Sequence, residues 1–599
     1  MRSEPPNRPP LSHGSGLGMV CNLRFRGDGA GPSWAPCVLL LAVLASASAC
    51  SSPPSPAPRA CQGIQLRDAT AQTGIDFVHT DGSSGRHYIV ETVTTGLAVF
   101  DYDGDGWNDI YFLNGKPLPG AEAARPARNA LYRNQGGFRF RDVTAEAGVG
   151  DEGYGMGVAV ADYDNDGHPD IYVSNFGPKV LYRNNGDGSF VDATAQARVA
   201  DGNKVGAGVV FLDFDGDGEL DLYVANYVQF SFETHVPRFR EGYPEYAGPK
   251  DYPAEPHTLF RNNGDGTFTD VSRESGIAAY AGTGMGVVAA DYDNDGRPDI
   301  FALNDVSRNF FWRNQGDGAF EEVAVTIGAA YNAYGDSLGS MGVDCGDYDN
   351  DGWLDFFQTS YEGELPVLFR NLGGGLLEDV TLRTGAGAGS LPHVKWGCAF
   401  ADLDNDGHKD LFYVCGHLQD NIELYRDNTF YRAAPILLRN TGDGKFVNVS
   451  ETAGDGLRVK GVGRGAAVDD LDNDGRLDVA ILNSRGAPTI LRNVSETGNH
   501  WLRLRLQGTK TNRDGVGARV KVVAGDLVQI DEVHSGRGYQ SHFGTTLHFG
   551  LGQRGRVDRI EIRWIGGGVD LVEDLEADQR LVITEGLGRR PAPAGSPEA

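Results

Sequence analysis

A nine-residue pattern, D-x-D-x-D-G-x-x-D, occurs seven times in this chain, and no other feature restricts its fold as tightly. The first copy, DYDGDGWND, supplies Asp101, Asp103, Asp105 and Asp109, and the second, DYDNDGHPD, supplies Asp162, Asp164, Asp166 and Asp170. DFDGDGELD gives Asp213, Asp215, Asp217 and Asp221, and DYDNDGRPD gives Asp291, Asp293, Asp295 and Asp299. DYDNDGWLD carries Asp347, Asp349, Asp351 and Asp355, DLDNDGHKD carries Asp402, Asp404, Asp406 and Asp410, and DLDNDGRLD carries Asp470, Asp472, Asp474 and Asp478. Alternate side chains of a tight turn converge on one point, and a hard cation takes many oxygen ligands at flexible geometry. Four carboxylates so close repel one another unless a cation sits among them. The alternative for a single copy is an acidic Asp/Gly surface turn. Seven copies that keep the same five positions read as calcium loops, about seven Ca²⁺ in all. They are not EF-hands, whose loops run to twelve residues, end in Glu and lie between helices.

Each loop is half of a longer unit. Gly-rich apolar segments such as GMGVAVA (Gly155 to Ala161) and GMGVVAA (Gly284 to Ala290) precede it, and β-rich runs such as IYVSN (Ile171 to Asn175) follow. A second signature comes next, as in LYRNNGDGSFVDAT (Leu181 to Thr194) and LLRNTGDGKFVNVS (Leu437 to Ser450), where Asn, Asp and Gly between apolar runs mark a hairpin. Strand, calcium loop, strand, loop, strand, hairpin, strand is one propeller blade. The seventh unit stops at ILRN (Ile490 to Asn493), one strand short, and IQLRDATAQTGI (Ile64 to Ile75) aligns with the blade-ending FRFRDVTAEAGV (Phe138 to Val149). The N-terminal segment therefore completes the last blade and removes an exposed edge. The fold expected is all-β, a seven-bladed propeller over residues 62–495 followed by a small β module. Two long inserts, Gln229 to His257 and His417 to Pro435, are either binding loops or a packed lid.

Formal charge is -29, from 82 acidic against 53 basic residues. Seven divalent ions would return fourteen charges and leave about -15, so the acidity follows from metal loops and argues against nucleic acid, which needs basic stripes. Residues 1–49 read as a leader: Arg24 and Arg26 precede VLLLAVLASASA (Val38 to Ala49), too short to span a bilayer comfortably. ASAC, with Cys50 ahead of a Pro/Ser linker over residues 50–61, resembles a bacterial lipobox and implies lipid on Cys50, with Ala47 where the lipobox has Leu. Membrane attachment is then through lipid alone. Cleavage after Ala49 and plain secretion is the alternative. Cys398 and Cys415 flank the sixth loop on strands expected to pair. A disulfide is open to them in an oxidising compartment, and so is a transition-metal site with His393 and His417, or simple burial. GDSLG (Gly335 to Gly339) fits G-x-S-x-G, but a nucleophile elbow needs a strand before and a helix after, and here a strand and calcium loop follow. No catalytic constellation is evident.

After Asn499 the texture changes. HWLRLRLQG (His500 to Gly508) alternates like a half-buried strand, and GARVKVVAG, LVQIDEV, TLHFGLG, VDRIEIRWIG and QRLVITEG continue the pattern to residue 587, with an unstructured tail expected over 588–599. The D-x-D-x-D-G-x-x-D blades resemble FG-GAP or VCBS repeats, the type that builds the integrin α-chain propeller. NHWLRLRLQGTKTNRDGVGARV (Asn499 to Val520), GRGYQSHFGTTLHFGLG (Gly536 to Gly552) and VDRIEIRW (Val557 to Trp564) resemble the ASPIC/UnbV domain. Together they look like bacterial relatives of the cartilage acidic protein family. The resemblance implies a secreted or surface, calcium-bound propeller and no established reaction or ligand. The leading reading is an envelope-anchored, calcium-stabilised binding or adhesion scaffold for a protein or glycan. The competing class is an extracellular propeller enzyme, a polysaccharide lyase or hydrolase working at the central face.

Overall fold

The computed structural model describes residues 63–121 and 127–591, so the leader, Cys50 and the Pro/Ser linker lie outside the described residues. The Gly-rich apolar segments form the innermost strand of each repeat, and the metal-type loop turns the chain into the second. In the first repeat the four strands are Leu97–Phe100, Asp109–Phe112, Ala130–Asn134 and Phe140–Asp142. Among the described residues seven four-stranded antiparallel sheets follow this order, and the fold is a β-propeller with a β-sandwich on one face. The seventh sheet takes three strands, Gly463–Asp469, Asp478–Asn483 and Thr489–Asn493, from the end of the repeat array. Its fourth is Leu66–Asp68, with Leu66 opposite Asn493 and Asp68 opposite Leu491. The N-terminal segment therefore pairs where the sequence match placed it.

Glycine lets the inner strands crowd together. A Cβ on Gly157 would lie 2.2 Å from the Ala207 carbonyl oxygen of the next sheet, and one on Gly465 would lie 2.5 Å from Thr95 O, where the last sheet meets the first. Neighbouring blades also interlock at their metal-loop ends, where the ring of Tyr102 stacks on Phe190 of the next sheet at 6.2 Å and Phe214 meets Phe320 at 5.8 Å. Short helical turns such as Thr144–Ala147 follow the outer strands.

The C-terminal sandwich has two four-stranded sheets. One places His500–Gln507 between Thr546–Gly552 and Gln579–Thr584, and the other centres on Arg519–Ala524 and Arg556–Arg563. Leu502, Leu504 and Leu506 face Val520, Val522 and Ile560 in the core. Gly588–Pro591, placed in the expected tail, pairs with Gln579–Thr584 as a further strand; residues 592–599 lie outside the described residues.

Between two sandwich strands, residues 533–545 leave the module and fill the propeller channel. Although they are polar and Gly-rich, every residue from Val533 to Phe543 is buried. Their backbone groups are satisfied by the inner strands, which is what burial of such a segment demands. His542 exchanges main-chain hydrogen bonds with Leu97 O and Val99 N, both at 2.9 Å, and Gly538 exchanges bonds with Val343 at 2.8 and 3.0 Å. Arg537 Nε meets Asp344 at 2.6 Å, and the Tyr539 hydroxyl donates to Val93 O at 2.9 Å.

Candidate metal centres

The second loop shows how local sequence builds the centre. Asp162 directly follows the inner strand Tyr154–Ala161, and its two carboxylate oxygens accept the N–H groups of Asp166 at 3.0 Å and Gly167 at 2.7 Å. Asp170 opens the next strand; its oxygens accept Tyr163 N–H at 3.1 Å and Asn184 N–H at 2.7 Å. Position 4 adopts left-handed φ in every loop, +57° at Asn165 and +75° at Gly104, so Asn or Gly stands there. These bonds fix the backbone and turn the remaining carboxylate oxygens to the loop centre.

Groups of three carboxylates lie with ligand atoms within 4.8 Å of one another: Asp101, Asp103 and Asp109 in the first loop, Asp162, Asp164 and Asp170 in the second, and Asp213, Asp215 and Asp221 in the third. In the fourth and fifth loops the grouped residues are Asp291, Asp293 and Asp295, and Asp347, Asp349 and Asp351. Asp105, Asp166 and Asp217 at position 5, and Asp299 and Asp355 at position 9, stand outside those triplets; Asp105 is instead 3.0 Å from Arg133. In the sixth loop Asp402 and Asp404 raise the pKa of Asp410, and in the seventh Asp470 and Asp472 raise that of Asp478, second to burial in each case. Burial and then Asp406 push Asp404 up to about 6, and burial and then Asp472 push Asp474 to about 7. Burial also lifts Asp162 to about 8, with Asp514 of the sandwich adding to it, and lifts Asp213 and Asp347 to about 7. The Oδ1 atoms of Asp164, Asp293, Asp349, Asp404 and Asp472, all at position 3, are buried with no hydrogen-bond partner. An unpaired carboxylate oxygen aimed into a ring of like charge fits a cation.

Two residues of the third-strand R-N pair serve these centres, although the sequence reading took them only as the end of a strand. Arg133 lies 2.8 Å from Asp103, Arg370 lies 2.7 Å from both Asp349 and Asp351, and Arg492 lies 2.6 Å from Asp472. The Asn ties blades together. Asn184 Nδ2 donates to Pro169 O in its own loop at 3.1 Å and to Tyr102 O in the preceding sheet's loop at 2.9 Å. Asn262, Asn314, Asn371 and Asn440 repeat the bridge, Asn493 reaches Leu403 O at 2.8 Å, and Asn134 closes the circuit on Leu471 O at 2.8 Å. The signal was present, since R-N recurs at one place in every repeat.

Other expectations change. Cys398 and Cys415 are buried free thiols, not a disulfide. A bulge after Lys395 shifts the register, so Cys398 faces Tyr413 and Cys415 faces Lys395. Burial pushes the Cys415 thiol up to about 12. His417 accepts Gln419 N–H at 2.9 Å and lies 3.3 Å from Glu362, while His393 Nδ1 is buried without a partner. Ser337 of GDSLG is exposed in irregular chain, with no elbow around it. The two inserts pack on each other across the face opposite the sandwich. Tyr246 N–H donates to Gln419 at 3.0 Å, Asn421 to Pro244 O at 2.7 Å, and Tyr243 stacks on Tyr425. Arg485 ties them to the N-terminal segment through Asp81, Asp420 and the Tyr246 hydroxyl.

The fold and its loops define a propeller of repeated carboxylate turns joined to a β-sandwich. The FG-GAP-like repeat model matches residues 101–173, 166–224, 254–302, 291–358 and 347–413, and the ASPIC and UnbV model matches 508–590. The chain is thus an FG-GAP-repeat protein with an ASPIC and UnbV domain. It is 26% identical to cartilage acidic protein 1 of Homo sapiens over 438 residues, 69% of this chain and 60% of that one. The Mus musculus protein is also 26% identical, over 69% of this chain and 62% of its own length. The chain therefore spans about three-fifths of these relatives. Among solved structures, YCF48 bound to D1 peptide aligns at 11% identity and TM-score 0.37 over 68% of this chain and 93% of that one. A Bacillus licheniformis rhamnogalacturonan lyase aligns at 14% and TM-score 0.29, over 84% of this chain and 92% of that one. Among the described residues no helix is long and apolar enough to cross a membrane.

Proposed function

We propose that the chain is a calcium-clamped β-propeller that works in the bacterial envelope or outside the cell as a binding or adhesion scaffold, lipid-anchored through Cys50 or secreted. The observation that carries the calcium reading is the repeated position-3 aspartate with a buried, unpartnered Oδ1 facing its neighbours' carboxylates. A soft-ligand metal would want thiolate or imidazole; an all-carboxylate donor set suits a hard cation. Ligand contact falls to the face carrying the two inserts, where Phe239, Leu424 and Phe430 are exposed, and the ligand is a protein or glycan. The lyase or hydrolase alternative has less support, because residues 533–545 occupy the channel it would use.

Three measurements test this. Elemental analysis after gel filtration in metal-free buffer should return about one calcium per loop, and excess chelator should lower the melting temperature by many degrees. A protein with no bound calcium and an unchanged melt would end the proposal. Glycan and envelope-protein arrays probed with calcium-loaded protein should give hits that Phe239→Ser weakens.

A further inference from the structure

The side chain at loop position 4 does more than tolerate a left-handed backbone. In the second loop Asn165 Nδ2 donates to the carbonyl of Gly218, position 6 of the third loop, at 3.1 Å, and to Glu219 at 3.0 Å. Asn350 of the fifth loop reaches Gly407 O of the sixth at 3.0 Å, Asn405 reaches Gly475 O of the seventh at 2.9 Å, and Asn473 reaches Gly106 O of the first at 2.9 Å. Each bond runs from one loop to the next around the ring. Among the described residues it is missing at three interfaces, for visible reasons. Position 4 is Gly104 in the first loop and Gly216 in the third, with no side chain to donate. In the fourth, Asn294 instead accepts Arg519 of the sandwich at 2.6 Å. The fifth, sixth, seventh and first loops thus form one linked run, the second and third form a pair, and the fourth stands alone.

The receiving glycine is held from both sides. Its carbonyl takes the neighbour's amide, and its N–H donates to the position-1 aspartate of its own loop: Gly106 to Asp101 at 3.0 Å, Gly407 to Asp402 at 2.8 Å and Gly475 to Asp470 at 2.9 Å. The donating asparagine sits between the aspartates at positions 3 and 5, so whatever fixes those carboxylates also fixes the amide. Third-strand amides such as Asn184 bridge all seven interfaces alike, from a strand end outside the loop, and so cannot sort the loops into groups. We propose, resting on the calcium binding put forward above, that Asn165, Asn350, Asn405 and Asn473 are positioning residues that couple calcium binding between adjacent loops. The seven sites then act as one cooperative set of four, one pair and one independent site. The net contribution of an ordinary hydrogen bond sets the coupling at about fivefold in affinity per link.

Hydrogen exchange read by mass spectrometry resolves the test loop by loop, on the full chain with free calcium set by chelator buffers. Asp472→Asn removes a ligand from the seventh loop. It should raise the calcium concentration that half-protects the first and sixth loops about fivefold, and leave the second, third and fourth unmoved. Asn473→Gly cuts one link, at a position where Gly104 and Gly216 already take the same backbone. In the double variant the first loop should move no further than in Asn473→Gly alone, while the sixth still responds to Asp472→Asn. Asn294→Gly, which cuts no link, should leave the fifth loop unmoved. If Asp472→Asn unfolds the chain, Asn350→Gly serves, and should shift the sixth loop about fivefold without moving the second. A first loop that keeps its wild-type midpoint in Asp472→Asn, or a fourth loop that shifts as far, overturns the coupling while the calcium reading stands. Failure of calcium to protect any loop removes both.

Discussion

Replacing Asn184 with Ala tests whether the blades are held by their interlocking amides. Asn184 is 1% exposed, so water cannot reach the groups it leaves behind. The change strips a donor from Tyr102 O, at 2.9 Å, and from Pro169 O, at 3.1 Å, and strips the acceptor from Gly186 N–H, at 3.0 Å. Each buried polar group left unpaired costs roughly 1–3 kcal/mol, carbonyls toward the lower end, and truncation leaves a small void. A loss of about 3–4 kcal/mol follows. The neighbouring Asn185 is the control, since its amide contacts only Ser189 on the exposed turn, at 3.1 Å, and Asn185→Ala should cost under about 0.5 kcal/mol. Urea titration with calcium present reads both as midpoint shifts at constant slope. If Asn184→Ala costs no more than Asn185→Ala, the amides do not hold adjacent blades together.

In excess chelator, stability should rise on acidification from pH 8 toward 5.5. Asp162 at about 8 and Asp213 and Asp347 at about 7 stand above the ~3.9 of an unfolded Asp, so the folded chain binds protons more tightly. Their contribution is complete below pH ~4 and is lost as pH climbs through those folded values. With saturating calcium the slope should vanish or reverse, as protons compete for the ligands; scanning calorimetry of metal-free protein whose melt falls on acidification would refute this. Deleting residues 64–75 strips Leu66–Asp68 from Thr489–Asn493 and should produce aggregation visible by light scattering, whereas a soluble monomer with wild-type melting temperature would show that the closing strand is dispensable.

The repeats were legible because each must make the same turn around the same carboxylates, and the closing strand was legible because Ile64 to Ile75 copies a blade-ending segment. Asn184 and its counterparts were readable as a repeated letter but not as a bridge, since the partner carbonyl belongs to another unit, 82 residues away at Tyr102. Of the alternatives open to Cys398 and Cys415, simple burial holds; the near-opposite pairing that would suit a disulfide was read without the bulge at Trp396 and Gly397. Residues 533–545 gave no sign of burial: composition reports what a side chain prefers, and here backbone groups of five inner strands, at Val99, Val158, Phe211, Ala289 and Val343, supply partners that water would otherwise provide.

A segment that fills the channel also measures it. Arg537 meets Asp344 of the fifth sheet while His542, five residues on, is bonded to the first, so the width of one chain segment spans the ring. A ring with one repeat fewer would crush that segment, and one with an extra repeat would leave its polar groups facing a void. Tandem repeats gain and lose copies readily during replication of their genes, and each blade could in principle be duplicated without spoiling any loop. The C-terminal module acts as a gauge against such drift, because only one circumference lets it seat.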